Sequence, residues 1–236
     1  MPAVCRPVLS NRKSSPQNIN AFGKHSSGLL LICMTKNIIP SDTFMNSVIH
    51  NDGVLNLYPD FLPHDVADNL YELFLNELNW SEEHIQMFGK IIPVPRLVCW
   101  YGDREAVYRY SGVEHIPHPW IESLRELKNS IEAFTQQSFN SVLGNLYRNG
   151  NDAMGWHSDD EKELGQNPFI ASISLGAERV FKIRHNSTRE QYKLTLPHGS
   201  LLTMSGPFQH HWQHSVPRTS TCQIPRINLT FRDIRY

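Results

Sequence analysis

The sequence predicts one mostly β domain of the α+β class, with a double-stranded β-helix (jelly roll) core and supporting helices on one side. Its 236 residues suit a single domain with its own hydrophobic core. From position 170 to 204, short strand-like runs are separated by turn residues that include Gly and Pro, as in double-sheet jelly rolls. Two earlier stretches, 62–78 and 119–134, instead repeat apolar residues at helical spacing.

The first residues, 1 to about 50, have the composition of a poorly ordered basic extension. Ser, Asn and Pro are frequent there, and several Lys and Arg residues precede the first acidic residue, Asp42. Such a segment lacks the patterned apolar residues that a packed core requires. We therefore expect the folded domain to span 51–236.

The remaining elements follow in order from local patterns. Met87 to Lys90, followed by Pro93 and Pro95, predicts an exposed turn that leads into a strand at 97–101. After the second helix, we expect strands at 141–148, 170–176, 179–185, 191–196 and 200–204.

Composition and cysteine usage exclude several classes of protein. A formal net charge of -1 gives no global basic field, so nucleic-acid binding would depend on local patches. The four cysteines are scattered, which argues against a disulfide framework and for a reducing compartment. The longest apolar run, 28–34, is too short to span a bilayer and lacks a convincing cleavage site. We therefore expect an intracellular protein with no membrane partner.

The closing stretch, 226–232, predicts a strand with two different faces. Its polar positions are Arg226, Asn228, Thr230 and Arg232. Its apolar positions, which alternate with them, are Ile227, Leu229 and Phe231. The apolar face suits packing against a second layer. A polar face with two guanidiniums suits a pocket that grips a dicarboxylate.

His157 and Asp159 are candidate metal ligands, because alternate residues of an extended segment point to the same side. His214 would complete a set of two imidazoles and one carboxylate, the ligand set of non-haem Fe(II) oxygenases. Together with a dicarboxylate clamp, this set implies 2-oxoglutarate as cosubstrate.

Each predicted metal ligand also has an interpretation without a metal. An isolated His-x-Asp is common by chance and is usually structural. His198, His210 and His211 are rival ligands near His214, and we expect His210 and His214 to share one strand face with Trp212.

In combination, these motifs resemble the AlkB family of Fe(II)/2-oxoglutarate dioxygenases, and most of all its branch that repairs alkylated DNA. The resemblance runs from about Asn56 to the C-terminus and rests on segments 145–147, 157–161, 171–176, 198–202 and 226–232. It implies Fe(II), 2-oxoglutarate and O2 as cofactors, with the iron held by His157, Asp159 and His214. It also implies that Arg226 pairs with the distal carboxylate of 2-oxoglutarate. The residues that would complete this cradle are Asn145, Tyr147, Asn228, Thr230 and Arg232.

The resemblance further implies nucleotide-recognition hairpins at about 85–115. Phe88, beside Gly89 in a turn, would wedge into a base stack, and Tyr110 would stack on the extruded base opposite His157. The other implied substrate contacts are Tyr108, Ser111, Asp160 and Glu161. The two carboxylates would contact the exocyclic amine of the base and attract cationic lesions. Without the resemblance, Phe88 is a loop anchor, and the two tyrosines are a cross-strand aromatic pair.

The implied function is oxidative demethylation of 1-methyladenine and 3-methylcytosine in DNA, with release of aldehyde, succinate and CO2. The expected partner is alkylated DNA, with RNA as a second polymer, and the expected protein is a monomer. It would be cytoplasmic and nucleoid-associated in a bacterium, or nuclear in a eukaryote. The alternatives are a related dioxygenase that acts on RNA or protein, and a non-catalytic jelly-roll protein that binds a metal or a small anion.

The hairpin expected at 179–196 is rich in basic residues, namely Arg179, Lys182, Arg184, Arg189 and Lys193. They form a candidate phosphate-contact patch, although such runs are often solvated faces. The connection at 185–190 is short, whereas duplex-preferring relatives carry a longer basic loop. The preference between single and double strands therefore stays open.

Overall fold

Fourteen strands and three helices form the part of the chain that the computed structural model describes, namely residues 45–87, 89–110 and 113–235. The helices are α1 (His64–Glu77), α2 (Glu122–Thr135) and α3 (Phe208–His211). The first seven strands are β1 (Asn46–Ile49), β2 (Val54–Tyr58), β3 (Ser81–Met87), β4 (Lys90–Gly102), β5 (Tyr108–Tyr110), β6 (Val113–His115) and β7 (Ser141–Tyr147). The other seven are β8 (Met154–His157), β9 (Ile170–Gly176), β10 (Arg179–His185), β11 (Gln191–Leu196), β12 (Ser200–Ser205), β13 (Trp212–Val216) and β14 (Arg226–Arg232).

The strands form a major sheet, a minor sheet and a small ribbon. The major sheet has the order β1-β2-β12-β9-β14-β7-β4-β3, the minor sheet has the order β11-β10-β13-β8, and β5 pairs with β6. The neighbouring strands in these sheets are antiparallel. Two antiparallel sheets with helices on one side are the jelly roll that the sequence predicts, so the fold class is confirmed.

Both long helices pack on the outer face of the major sheet. Leu70 and Phe74 of α1 and Leu127 and Ile131 of α2 are buried in one core with Leu229 of β14. Their spacing puts them on one face of each helix, and burying each such side chain contributes about 1.5–3 kcal/mol. Among the described residues, no helix is long and apolar enough to cross a membrane.

A second core fills the space between the two sheets. Leu202 and Met204 come from the major sheet, and Phe181, Ile183 and Trp212 come from the minor sheet. This core holds the sheets face to face around the candidate site.

β14 lies in the middle of the major sheet, between β9 and β7. Its residues Ile227, Leu229 and Phe231 join the helix-side core, as the alternation in the sequence predicts. Because successive side chains of a strand point to opposite faces, its polar residues face the minor sheet. One strand thus joins the scaffold to the site.

The expected turn is found at Gly89, between β3 and β4, but the strand after it begins at Lys90 and not at 97, so Pro93 and Pro95 lie inside β4. β7 pairs with β4 only from Leu97 onward, so the first half of β4 has β3 alone as a partner. The β3–β4 register also shifts between Glu82 and His84. Proline is tolerated in a strand where one side needs no ladder donor or where a bulge interrupts the ladder.

Several predictions fall on residues outside the described ranges. These are residues 1–44 of the basic extension expected over 1–50, and the side chains of Phe88, Tyr108, Tyr110 and Ser111. The domain boundary at 51 therefore stays a prediction. Gly89 lies in the turn between β3 and β4 with a φ of 76°, which glycine adopts without strain.

Candidate metal and cosubstrate site

β8 and the turn after it carry two of the three predicted metal ligands. β8 ends at His157, and Asp159 follows two residues later with a side chain that is 5% exposed. The backbone N–H of Asp159 donates to Oε1 of Gln209 in α3 at 3.0 Å. This bond fixes the turn so that both side chains line the same cavity.

The third predicted ligand, His214, lies directly opposite His157 in the β8–β13 pair. Their ring centroids are 4.2 Å apart. Nε2 of His157 and Nε2 of His214 each lie 3.9 Å from a different carboxylate oxygen of Asp159. One ligand atom from each of the three residues lies within 4.8 Å of the other two. The structure therefore brings the predicted set together.

The hydrogen bond of one imidazole and the burial of the other suit metal binding. Nδ1 of His157 lies 2.9 Å from the carbonyl oxygen of Gly155. Since a carbonyl only accepts, the ring proton is on Nδ1, and Nε2 keeps a lone pair for a metal. Burial, reinforced by the neighbouring His157, lowers the pKa of His214 to about 3. His214 is therefore neutral at physiological pH, as a metal ligand must be.

Arg232 holds the carboxylate of the cluster. Its Nη2 donates to Oδ1 of Asp159 at 2.8 Å, and both side chains are buried. Burial alone would raise the pKa of Asp159, but Arg232, His214 and His157 together outweigh burial and lower this pKa. The carboxylate is therefore ionised and fixed. Two imidazoles and this carboxylate are a donor set that fits Fe(II) and leaves coordination positions open.

A cavity extends from the metal ligands along the inner face of the major sheet. Asn145 and Tyr147 of β7 line it, together with Asn228 and Thr230 of β14. Asn145 lies directly opposite Asn228 in the strand pair. Nδ2 of Asn228 donates to Oγ of Ser172 at 2.6 Å, and Oγ1 of Thr230 donates to Oδ1 of Asn228 at 3.3 Å. These bonds give the cavity a fixed polar wall.

Arg226 lies beyond Tyr147, its direct partner in the β7–β14 pair, and does not itself line the cavity. The residue is 1% exposed, and its Nη2 donates to Oγ of Ser174 at 2.9 Å. Its Nε and Nη1 are buried without a well-formed hydrogen bond to a described residue, and Tyr147 is the neighbour that favours its charge. Burial lowers the pKa of Arg226 to about 10. Because unpaired buried N–H groups are costly, this guanidinium fits a carboxylate ligand.

A cleft of about 310 Å³ opens from the metal ligands. Arg96 lines it and donates through Nε to Oδ1 of Asn145 at 2.6 Å, so one buried side chain connects the cleft with the cavity wall. Sequence reasoning missed Arg96. The available signal is that Arg96 is the only charged residue between positions 91 and 102.

The structure places some of the predicted substrate contacts at the cleft and others outside its lining. Glu161 lines the cleft, whereas its neighbour Asp160 is exposed and is absent from the lining. The backbones of Tyr108 and Tyr110 form β5, which pairs with β6. Ile116, just after β6, lines the cleft and is 72% exposed. The β5–β6 ribbon therefore leads to the cleft mouth, and the roles of the two tyrosines stay predictions.

The rival histidines lie away from the cluster. Nδ1 of His198 accepts from the backbone N–H of Gly176 at 2.8 Å, and its Nε2 lies 3.2 Å from Oδ1 of Asp68. The expectation that His210 shares a strand face with His214 is wrong, because His210 lies in α3. This short helix ends at His211, and β13 begins at the next residue, Trp212.

His211 belongs to a second cluster, with Asp52 and His185, whose ligand atoms also lie within 4.8 Å of one another. Nε2 of His185 lies 3.2 Å from Oδ2 of Asp52. Nδ1 of His185 accepts from the backbone N–H of Thr188 at 3.1 Å. His185 is therefore held on both sides of its ring.

Comparison with known proteins agrees with this geometry. A family model described as the 2OG-Fe(II) oxygenase superfamily matches residues 54–232. The chain is 42% identical to the human "Alpha-ketoglutarate-dependent dioxygenase alkB homolog 3" over 188 residues, which cover 75% of this chain and 65% of that protein. It is 43% identical to the mouse "DNA oxidative demethylase ALKBH2" over 179 residues, which cover 71% of this chain and 75% of that protein. The chain thus spans less than two thirds of the length of the alkB homolog 3 proteins that it matches.

A solved structure supports the fold. The structure titled "The structure of OsALKBH1" superposes with a TM-score of 0.55 over 80% of this chain and 100% of that chain. The two sequences are 19% identical, so this likeness concerns the fold alone.

Proposed function

Since the chain belongs to the AlkB branch of the 2OG-Fe(II) oxygenase superfamily, we propose that it is an oxidative demethylase of N-alkylated bases in DNA. The proposed substrates are 1-methyladenine and 3-methylcytosine. The observation that carries the proposal is the position of the three candidate metal ligands. The cluster of His157, Asp159 and His214 lies where the polar cavity and the open cleft come together.

The metal would be held by Nε2 of His157, Nε2 of His214 and the carboxylate of Asp159. Fe(II), with 2-oxoglutarate and O2, supplies the oxidation that hydroxylates the alkyl carbon on the base nitrogen. The protein prepares this site by orienting Nε2 of His157 through the Gly155 carbonyl and by keeping His214 neutral and the carboxylate ionised. The modified base then loses the carbon as an aldehyde, and succinate and CO2 are released.

The cosubstrate would occupy the cavity along β7 and β14. Arg226 offers two buried nitrogens, Nε and Nη1, without a well-formed hydrogen bond next to Tyr147, at the end of β14 that is remote from Arg232. A strand rises about 3.3 Å per residue, so the two arginines are well separated along β14. We assign the distal carboxylate of 2-oxoglutarate to Arg226. The amides of Asn145 and Asn228, with Thr230, would hold the rest of the molecule against the sheet.

The alkylated base would enter the cleft. Glu161 places a carboxylate on its wall, which suits the exocyclic amine and the positive charge of the two proposed lesions. Arg96 contacts Asn145 from the cleft side, so it would hold the wall that separates base and cosubstrate. Phe88 and the tyrosines of β5 keep their proposed roles as wedge and stacking residues.

The partners follow from this reaction. We propose alkylated DNA as the polymer and a monomer as the working form, with RNA as the second polymer to test. A relative carries "DNA oxidative demethylase" in its name, which supports DNA first. An enzyme of this kind acts where the genome is, at the nucleoid of a bacterium or in the nucleus of a eukaryote.

The test uses the full chain loaded anaerobically with Fe(II) and then given 2-oxoglutarate, O2 and an oligonucleotide that contains 1-methyladenine. We expect loss of one methyl group by mass spectrometry, with equal amounts of succinate and formaldehyde, and none of these with His157→Ala. A parallel RNA oligonucleotide tests the second polymer. Succinate without base repair would overturn the nucleic-acid substrate, and no succinate at all would favour a non-catalytic binding protein.

A further inference from the structure

The outer face of the minor sheet carries a basic concave surface, which we name the outer pocket. Its volume is about 370 Å³. It is lined by Glu178, Arg179, Val180, Lys182, Lys193, Thr195, Pro217, Arg218, Thr219 and Thr221. None of these residues lines the cleft or the cosubstrate cavity.

The outer pocket lies on the opposite face of the sheet from the metal ligands. His214 faces the inside of the molecule, and its direct partner in β10 is Ile183. Lys182 is the next residue of β10 and therefore points to the outside. The outer pocket is thus a separate site.

Lys182 and Lys193 face each other directly across the β10–β11 pair. Like charges in this position destabilise a sheet. Lysine is common on edge strands such as β11, where it discourages aggregation, but Lys182 lies on β10, an interior strand of the minor sheet. An anion between the two ammonium groups would remove the repulsion.

The segment that follows β13 adds a third cation and two hydroxyls. Arg218, Thr219 and Thr221 line the pocket, and the hydroxyls of the two threonines are 2.9 Å apart. The backbone N–H of Thr219 donates to the carbonyl of Gly150 at 2.9 Å, which fixes the segment over the sheet. Cations and hydroxyls converging on one hollow are the donors that phosphate oxygens accept from.

The charge of the pocket is unbalanced. Among its lining residues, Arg179, Lys182, Lys193 and Arg218 give +4 and Glu178 gives -1, so the formal sum is +3, whereas the whole chain carries -1. No ion pair within the described ranges involves Lys182, Lys193 or Arg218.

The structure also corrects the basic patch expected from the sequence. Arg179 is buried and donates to the carbonyls of Asn149, Asp152 and Pro217, so it builds the pocket wall. Arg184 donates to Gln213 and is not part of the lining. The cations free to meet a ligand in the pocket are therefore Lys182, Lys193 and Arg218.

We propose that the outer pocket binds backbone phosphates of a single-stranded nucleic acid, on the opposite face of the minor sheet from the base in the cleft. The polymer is the one assigned under the proposed function, on which this inference rests. Sequence-independent phosphate contacts of this kind position a strand without reading its bases. The pocket would therefore raise affinity for long strands and leave the chemistry on short ones unchanged.

The test measures how the affinity for an unmodified single-stranded oligonucleotide depends on salt, by fluorescence anisotropy with the full chain. Each phosphate contact contributes about 0.7 to the slope of log affinity against log salt for single strands. We expect Lys182→Ala with Lys193→Ala to reduce the slope by about 1.4, and Arg218→Ala to reduce it by about a further 0.7. The matched control is Arg125→Ala with Lys128→Ala on α2, which packs against the other side of the major sheet. It should leave the slope unchanged.

Two further readouts separate this proposal from others. Demethylation of an alkylated trinucleotide should be equal in wild type and in the double lysine variant, because we expect so short a strand, bound at the metal ligands, not to reach the opposite face of the minor sheet. Thermal unfolding should show the variant folded. Equal slopes of log affinity against log salt in wild type and variant would overturn the proposed role of the outer pocket, even if base repair is confirmed. A reduced slope in a protein that repairs no base would support the pocket and overturn the repair function.

The source of the phosphate is distinguished by competition. If inorganic pyrophosphate at millimolar concentration leaves oligonucleotide binding intact at constant ionic strength, a polymer ligand is supported. Full displacement by pyrophosphate, with its binding lost in the double lysine variant, would overturn the polymer and identify a site for small phosphate anions.

Discussion

Two clusters in this molecule have the same composition but different properties. His157, Asp159 and His214 form one, and Asp52, His185 and His211 form the other, each with ligand atoms within 4.8 Å of one another. The carboxylate of the first is 5% exposed, whereas that of the second is 54% exposed. Residue types and proximity alone would make both of them metal sites.

The decisive difference is the backbone group on the far nitrogen of each imidazole. Nδ1 of His157 meets the carbonyl of Gly155, so the proton is on Nδ1, and Nε2 has a free lone pair. Nδ1 of His185 meets the N–H of Thr188 and must accept, so the proton is on Nε2, which lies 3.2 Å from Oδ2 of Asp52. The first cluster thus presents a lone pair on Nε2 to a metal, whereas in the second Nε2 of His185 lies 3.2 Å from a carboxylate oxygen and carries the proton.

The surroundings reinforce this difference. Arg232 and Gln209 hold Asp159 from two sides, next to an open cleft. His185 instead packs edge to face on Trp212, whose Nε1 donates to the carbonyl of Asn51. The second cluster therefore ties the turn before β2 to the end of β10 and to α3.

The largest expected effect is the loss of metal binding with His157→Ala. Removal of one of three ligands should weaken Fe(II) binding by more than about 100-fold, since losing even a supporting group costs 10–100-fold. Anaerobic equilibrium dialysis measures this. The matched control is His211→Ala in the second cluster, which should bind Fe(II) like the wild type. Equal losses of Fe(II) affinity in both variants would show that the two clusters do not differ in metal binding.

The next effect concerns the residue that holds the carboxylate. Arg232→Met should weaken Fe(II) binding by about 10–100-fold, because Asp159 loses its buried cation and the pKa of its carboxyl rises. Arg184→Met is the control, since Arg184 also donates from a guanidinium to a side-chain oxygen but contacts Gln213. Unchanged Fe(II) affinity in Arg232→Met would show that the metal alone orients the carboxylate.

A smaller effect is expected on stability in the second cluster. His185→Leu should lower the free energy of unfolding by about 1–3 kcal/mol, because the N–H of Thr188 loses its acceptor. His185→Asn should lose less, since an amide oxygen can replace Nδ1 as acceptor. Urea unfolding measures both variants, and their Fe(II) affinity should equal that of the wild type. Weakened Fe(II) binding in either variant would count against two independent clusters.

The smallest effect is expected at the exposed carboxylate. Asp52→Asn should change the free energy of unfolding by at most about 1 kcal/mol, as is usual for exposed ion pairs. Asparagine also tolerates the φ of 57° found at this position. The sharper readout is zinc added to the His157→Ala variant. Thermal protection that disappears in the further variant Asp52→Asn would make the second cluster a metal site after all.

The sequence predicted the strands well because they carry strong patterns. β9, β10, β11 and β14 have the expected bounds. Spacing along an extended chain also brought His157 and Asp159 to one side. The choice among four histidines for the third ligand rested on the resemblance, and the structure places His214 against Asp159.

The remaining features depend on contacts between distant segments. The helical setting of His210 comes from a four-residue helix, too short for a periodic pattern. The burial of Arg179 had a signal that sequence reasoning passed over, because Arg179 shares strand parity with Phe181 and Ile183. The role of Arg96 follows from Asn145, a partner 49 residues along the chain that no local window contains. The two tautomers depend on nearby backbone groups, those of Gly155 and Thr188, but on a bond geometry that residue types do not specify.

The central position of β14 has a consequence for errors in folding. A slip of one residue against β7 or β9 would turn Ile227, Leu229 and Phe231 toward the cavity and the polar row toward the helices. Such a chain would lose its apolar core and its cosubstrate wall together. We therefore expect a chain in which this strand is mispaired to be both poorly folded and inactive. A cell that removes misfolded copies of this chain would thereby also remove the inactive ones.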